Sequence, residues 1–225
     1  MTKPPLPQPR DIPGALYGSR LITLPHVQRA VARCTDFVSG PAPTLVEVGF
    51  DHGRRLQSMA TLNPDWRFLG LEVRAKRVRS LEERATRLSL TNLLVWRMDA
   101  RTVFSGLLAP ASADVVEVLF PTPWWSPKLR AKRLLVEPDF VEDAARVLRP
   151  GGLLHVASDV PEVIARIDDV VGGCSDLSLC DPGDTVPGRP ACEQLSRREW
   201  SCTRDGIPWQ VRLWRKHTAD QGGSP

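Results

Sequence analysis

No stretch of the sequence approaches the roughly 20 consecutive apolar residues that span a bilayer, and the first residues carry no hydrophobic core of the kind a secretory signal needs. A soluble, cytoplasmic protein with no membrane partner is therefore expected. The five cysteines, Cys34, Cys174, Cys180, Cys192 and Cys202, are odd in number and fall into no Cys-x-x-Cys or Cys/His spacing. Neither a disulfide framework nor a zinc site is indicated, and reduced thiols are expected. The full Gly-x-Gly-x-x-Gly fingerprint is missing as well: Gly49 and Gly53 are present, but position 51 is Asp and no third glycine follows. Dinucleotide binding is thereby disfavoured. No internal repeat is evident. Nor does charge of one sign dominate, since 30 Lys and Arg face 26 Asp and Glu. A net charge of +4 favours anionic partners only mildly.

What the chain does have is alternation. Residues 1–14 hold five prolines and little that could pack, so a flexible arm over 1–16 is expected, then a single domain over 17–218 and a disordered tail over 219–225. Apolar spacing predicts a helix over 26–38, then strand 44–50, helix 54–62, strand 67–73, helix 75–90, strand 92–97, helix 101–108, strand 114–120, helix 138–148, strand 152–157 and helix 161–171. Such alternation builds an α/β domain with a mostly parallel sheet and helices on both faces. Arg149-Pro150-Gly151-Gly152 reads as a helix stop and turn. Segments 177–180 and 209–215 form an antiparallel C-terminal hairpin in this reading, joined by a loop over 181–190.

The chemistry gathers at the strand ends, where open α/β sheets bind their ligands. Leu119-Phe120-Pro121-Thr122-Pro123-Trp124-Trp125 follows an apolar strand, and its two prolines hold the chain extended as a pocket wall. The alternative is a proline-stiffened turn with packed tryptophans. Gly49 and Gly53 bracket a tight turn into a helix, which lets backbone and free N–H groups approach a ligand. Glu72 ends the second strand, where a carboxylate can accept two ribose hydroxyls, and Asp99-Ala100 ends the third, where carboxylate and backbone can read an adenine edge. Singly, Glu47, Glu72 and Asp99 are as readily solvated acids; together they point to a nucleoside-type ligand. Lys128, Arg130, Lys132 and Arg133 follow the Trp pair, combining phosphate neutralisation with a stacking face, or else forming a solvated cationic turn. Asp159 is either a substrate contact or the N-cap of the next helix. His155 reads as a structural strand residue and His52 as a candidate only.

These motifs resemble the tRNA (guanine-N7-)-methyltransferase family of class I S-adenosylmethionine-dependent methyltransferases. The match spans about 44–159 and rests on Glu47-Val48-Gly49-Phe50 with Gly53, Asn63-Pro64-Asp65, Gly70-Leu71-Glu72, Asn92-Leu93, Asp99-Ala100, Phe120-Pro121 with Pro123-Trp124, Lys132-Arg133, Pro150-Gly151-Gly152 and Ser158-Asp159. The resemblance implies a Rossmann-like fold with a seven-stranded sheet and methyl transfer to a purine ring nitrogen. It implies S-adenosylmethionine held by Glu47, Gly49, Gly53, Glu72, Asp99 and Ala100, and a guanine faced by Trp124, Lys128, Asp159 and Glu193. This chain departs from the family at Thr122, where an aspartate regarded as catalytic is expected, at Asp51 and His52, and in the Thr-x-Phe-Glu signature, echoed weakly by Ala191-Cys192-Glu193-Gln194. Expected partners are tRNA or a purine-like small molecule, with the protein a monomer or homodimer. The other readings are a diverged paralogue acting on such a metabolite and a non-catalytic RNA-binding or partner subunit.

Overall fold

Strand β1, Thr44–Val48, is buried along its whole length, the pattern of a central parallel strand covered on both faces. The structure is a computed structural model describing residues 24–122, 135–181 and 188–218. The expected arm and tail, Trp124, Lys128 and the middle of the 181–190 loop lie outside the described residues. Helix α1, Leu24–Val38, leads into β1. There follow α2 (Arg54–Leu62), β2 (Arg67–Leu71), α3 (Ala75–Arg87), β3 (Leu93–Trp96), α4 (Ala100–Gly106), β4 (Ala113–Leu119), α5 (Pro138–Val147) and β5 (Leu148–Ser158). The described chain closes with α6 (Pro161–Gly172), β6 (Leu177–Leu179), α7 (Arg197–Asp205) and β7 (Gln210–Lys216).

The strands form one seven-stranded sheet in the order β3-β2-β1-β4-β5-β7-β6. Pairs from β3 through β5 are parallel, while β7 runs antiparallel to both β5 and β6. The chain steps from β1 outward to β3 and then returns to the other side of β1 to lay down β4. That reversal opens a crevice at the carboxyl ends of β1 and β4. Period-2 alternation in β1 serves both faces: Val46 and Val48 pack in the cluster holding Cys34, Val103, Phe140 and Ile167, whereas Leu45 packs with Leu56, Met59, Val78 and Leu81 of α2 and α3. Helices on both faces are thus confirmed. No described helix is long and apolar enough to cross a membrane.

Two features depart from the pattern reading. Strand β5 begins at Leu148, which already pairs with Ala113, and the register then jumps to Val115 opposite Leu153. Arg149-Pro150-Gly151-Gly152 is therefore a bulge inside β5, with Gly151 at φ 79°, and not a turn ahead of it. The hairpin strands pair as expected, but α7 lies between them in sequence and β7 sits inside β6 in the sheet. Helix α7 buries only Cys202, so it carries no apolar stripe. Its start was nonetheless written in the sequence as a capping box, in which Ser196 Oγ accepts from the Glu199 N–H and Glu199 accepts from the Ser196 N–H.

The turn after β1 depends on Gly53, which caps α2 at φ 66° and whose absent Cβ would stand 2.4 Å from Leu81 Cδ2. Gly53→Ala combines a left-handed backbone with that overlap and should cost about 2 kcal/mol, read as a lower urea midpoint with unchanged slope.

Candidate functional site

A cavity of about 1170 Å³ opens over the crevice between β1 and β4. Every strand end from β1 to β5 supplies it. Glu47 and the turn Gly49–Gly53 follow β1, Glu72 follows β2, and Asp99 with Ala100 follows β3. Thr122 comes from the segment after β4 and Asp159 from that after β5, while Gln194 to Arg198, Trp200 and Ser201 form a wall at the start of α7. Eight residues expected at the site from sequence are therefore brought together. Glu193 is exposed and absent from the lining, although its neighbour Gln194 belongs to it.

The floor of the cavity, at Glu47 and Arg55, is one end of a polar row in an apolar sheet. Glu47, Glu117 and His155 are cross-strand partners on β1, β4 and β5, each at most 4% exposed. Buried carboxylates need compensation, and Arg55 from the first turn of α2 supplies it. Its Nη1 contacts Glu117 Oε2 and its Nη2 lies 3.0 Å from Glu117 Oε1. His155 Nδ1 is 2.8 Å from Glu117 Oε1, and Arg189 Nη2 is 3.3 Å from the same oxygen. Burial works to raise the Glu117 carboxyl, but Arg55 and His155 together outweigh it and hold Glu117 well below the usual carboxylate range. Glu117 is fully engaged, so it offers no replacement acceptor for the aspartate missing at Thr122.

Glu47 is treated differently. Arg55 Nη1 stops 4.0 Å from Glu47 Oε2, and that buried oxygen has no hydrogen-bond partner. Burial pushes the Glu47 carboxyl up to about 7, against the opposing pull of Arg55. Glu47 also lines the cavity, and a buried carboxyl short of a partner there is poised for a donor that comes with a ligand.

The remaining acids are held by local arginines. Glu72 Oε1 accepts the Arg74 N–H at 2.9 Å, and its Oε2 is 3.6 Å from Arg77 Nη1, which also pairs with Asp51. Asp51 is thereby neutralised within the turn. Asp99 caps α4, with Oδ1 2.9 Å from the Arg101 N and Oδ2 2.7 Å from Arg101 Nη2. Each of these carboxylates keeps lone pairs for further donors. Asp159 is not an N-cap: Val160 holds that position, and Ser158 Oγ accepts the Val160 N–H at 3.2 Å. Asp159 pairs instead with Arg198, which holds its carboxyl below the usual range. His52 Nε2 lies 3.0 Å from Arg197 Nη1, tying the glycine turn to α7. At the end of β4, Phe120 adopts φ 50°, a left-handed conformation costing a bulky residue about 1–2 kcal/mol, and so turns the chain into the cavity wall at Thr122.

Sequence reasoning missed Arg55, Arg189 and all of α7. The hydroxyl-x-x-carboxylate spacing of the expected Thr-x-Phe-Glu signature occurs at Ser196 and Glu199, with Ser196 in the cavity wall, and not at Ala191–Gln194.

A family model described as "Putative methyltransferase" matches residues 41–206. A relative from Chromobacterium violaceum named tRNA (guanine-N(7)-)-methyltransferase is 36% identical over 176 residues, covering 78% of this chain and 76% of its own. One of the same name from Serratia proteamaculans is 36% identical over 177 residues, covering 78% and 73%. Among solved structures, a variant 16S rRNA (adenine(1408)-N(1))-methyltransferase from Catenulisporales acidiphilia, determined with its cosubstrate SAM, superposes with a TM-score of 0.57. Its 20% identity, over 92% of this chain and 97% of that one, speaks for the fold alone.

Removing one member of the floor pair leaves a buried charge unmatched. Glu117→Ala should lower unfolding stability by about 3–5 kcal/mol, whereas the paired change Arg55→Met with Glu117→Leu should recover most of it, as measured by urea denaturation.

Proposed function

The chain belongs to the methyltransferase family that includes the tRNA (guanine-N(7)-)-methyltransferases, and from that premise we propose that it transfers the methyl group of S-adenosylmethionine to N7 of a guanine in tRNA. The observation that carries the reading is the convergence of Glu47, Glu72, Asp99, Thr122 and Asp159 on one cavity at the switch point of the sheet. The acceptor set suits the cofactor. The unpartnered Glu47 oxygen would accept from its ammonium group, Glu72 from the ribose hydroxyls, and Asp99 with the Ala100 backbone would meet the adenine edge. When bound, S-adenosylmethionine supplies an electrophilic methyl group on a sulfonium.

Guanine N7 carries a free lone pair in the neutral base, so the protein needs no general base and its task is alignment. Guanine also presents N1–H and an exocyclic amine, a donor pair that a carboxylate accepts bidentately. The Thr122 hydroxyl accepts only part of it, at a cost of about 1–3 kcal/mol for the unmatched donor. Asp159, kept ionised by Arg198, is a second acceptor in the same cavity.

Incubation with methyl-labelled S-adenosylmethionine and unmodified bulk tRNA, then nucleoside digestion, should place the label in N7-methylguanosine; unlabelled tRNA overturns the proposal. In the same assay Thr122→Asp should raise kcat/KM by roughly 5- to 100-fold through recovered recognition.

Glu47 must be ionised to hold a cationic group, and its carboxyl titrates at about 7. Cofactor affinity should therefore be lowest below that pH, rise through it and level off above. Folding stability runs the other way for this residue: because its folded value lies above the unfolded one, its contribution is present at low pH and lost as pH rises toward 7. Isothermal titration calorimetry on Glu47→Gln should show weaker binding at high pH and no slope.

A further inference from the structure

We propose that Trp200 is the stacking surface for the acceptor base, and that the face of α7 carrying it recognises a purine extruded from structured RNA; this rests on the methyl-transfer reading above. In α7 the residue turned into the core is Cys202. At 100° per residue, Arg197, Trp200 and Arg204 lie within about 40° of the direction opposite Cys202, with Ser196 and Ser201 on the flanks. Arg197, Trp200 and both serines line the cavity, as does Arg198. The helix thus turns its polar and aromatic face, not an apolar stripe, toward the site.

Trp200 is 51% exposed, the most exposed of the described large hydrophobic residues together with Leu88. Indoles are usually well buried, and nothing in the packing of α7 requires one here. Of the three Phe and Trp residues that line the cavity among the described residues, Phe50 is buried in the core and Phe120 belongs to the left-handed turn after β4. Trp200 alone is presented from regular helix with half its surface free. The Arg204 guanidinium lies 4.7 Å over its ring, itself held by Asp205 at 2.7 and 2.8 Å. That stack fixes the orientation of the indole in advance.

The surroundings suit a base carried on a phosphate backbone. At about 1170 Å³ the cavity exceeds the roughly 300–1,000 Å³ usual for one small ligand, leaving room for a planar second occupant beside the cofactor. Arg54, Arg197 and Arg198 rim the same cavity and offer guanidinium donors to flanking phosphates. A base taken out of its stack loses its neighbours, and an aromatic side chain restores that contact.

The test uses full-length wild type, Trp200→Ala and Trp200→Phe with unmodified tRNA. Stacking predicts that Trp200→Ala raises KM for tRNA by roughly 5- to 150-fold with kcat at saturation little changed, and that Trp200→Phe regains most of the loss. S-adenosylmethionine affinity and the thermal midpoint should stay at wild-type values in both. Without turnover, tRNA binding should quench a part of the tryptophan emission that is missing from Trp200→Phe. An unchanged KM in Trp200→Ala, or equal quenching in wild type and Trp200→Phe, overturns the stacking role alone. Unlabelled tRNA with the wild-type protein overturns the methyl-transfer reading beneath it.

Discussion

A guanidinium buried between two carboxylates holds the site together. Arg55 descends from the first turn of α2 onto the sheet and takes both oxygens of Glu117, but it reaches Glu47 only at 4.0 Å. The asymmetry sets the chemistry: one acid is locked and ionised, and its neighbour in the row is left with an unpartnered oxygen and a carboxyl poised near neutrality. Low dielectric makes both states consequential, since an unmatched charge under α2 would be costly and an unmatched acceptor there favours whatever brings a donor. The glycine turn, the start of α2 and the cavity floor are thus parts of one constraint.

Around that floor the design is one of arginines matched to acids. Arg77 bridges Asp51 and Glu72, Arg101 clasps Asp99, and Arg198 holds Asp159. The cavity is therefore rich in charge yet locally balanced, and Asp51, Glu72, Asp99 and Asp159 are each positioned before a ligand arrives. Such preorganisation suits a reaction whose barrier is lowered by alignment more than by proton transfer.

How much of this was legible follows from where information resides along the chain. Glu72 and Asp99 were readable because strand ends in an alternating pattern must meet at one edge of the sheet. Glu47, Glu117 and His155 each interrupt an apolar strand, a visible signal, but their alignment depends on register, which only pairing in space reveals. Arg55 stands beside Arg54 in a run that reads as solvated, and nothing local distinguishes the buried one. Helix α7 escaped because one buried residue leaves no periodicity, although Ser196 and Glu199 announced its first turn. Glu193, given a role from sequence, is exposed and outside the cavity lining, and a hydroxyl-x-x-carboxylate spacing falls instead at Ser196 and Glu199.

The insertion of β7 between β5 and β6 has a consequence for the order of assembly. Strands β1 to β5 can pair as each emerges, since every parallel neighbour among them precedes β6 in sequence. The segment 210–216 instead adds antiparallel to β5 and supplies β6 with its partner, and it follows α7 directly in sequence. Helix α7 and β7 come last in the described sequence, so a nascent chain that has not yet reached them holds the strand-end residues of the site without the wall that would meet a substrate.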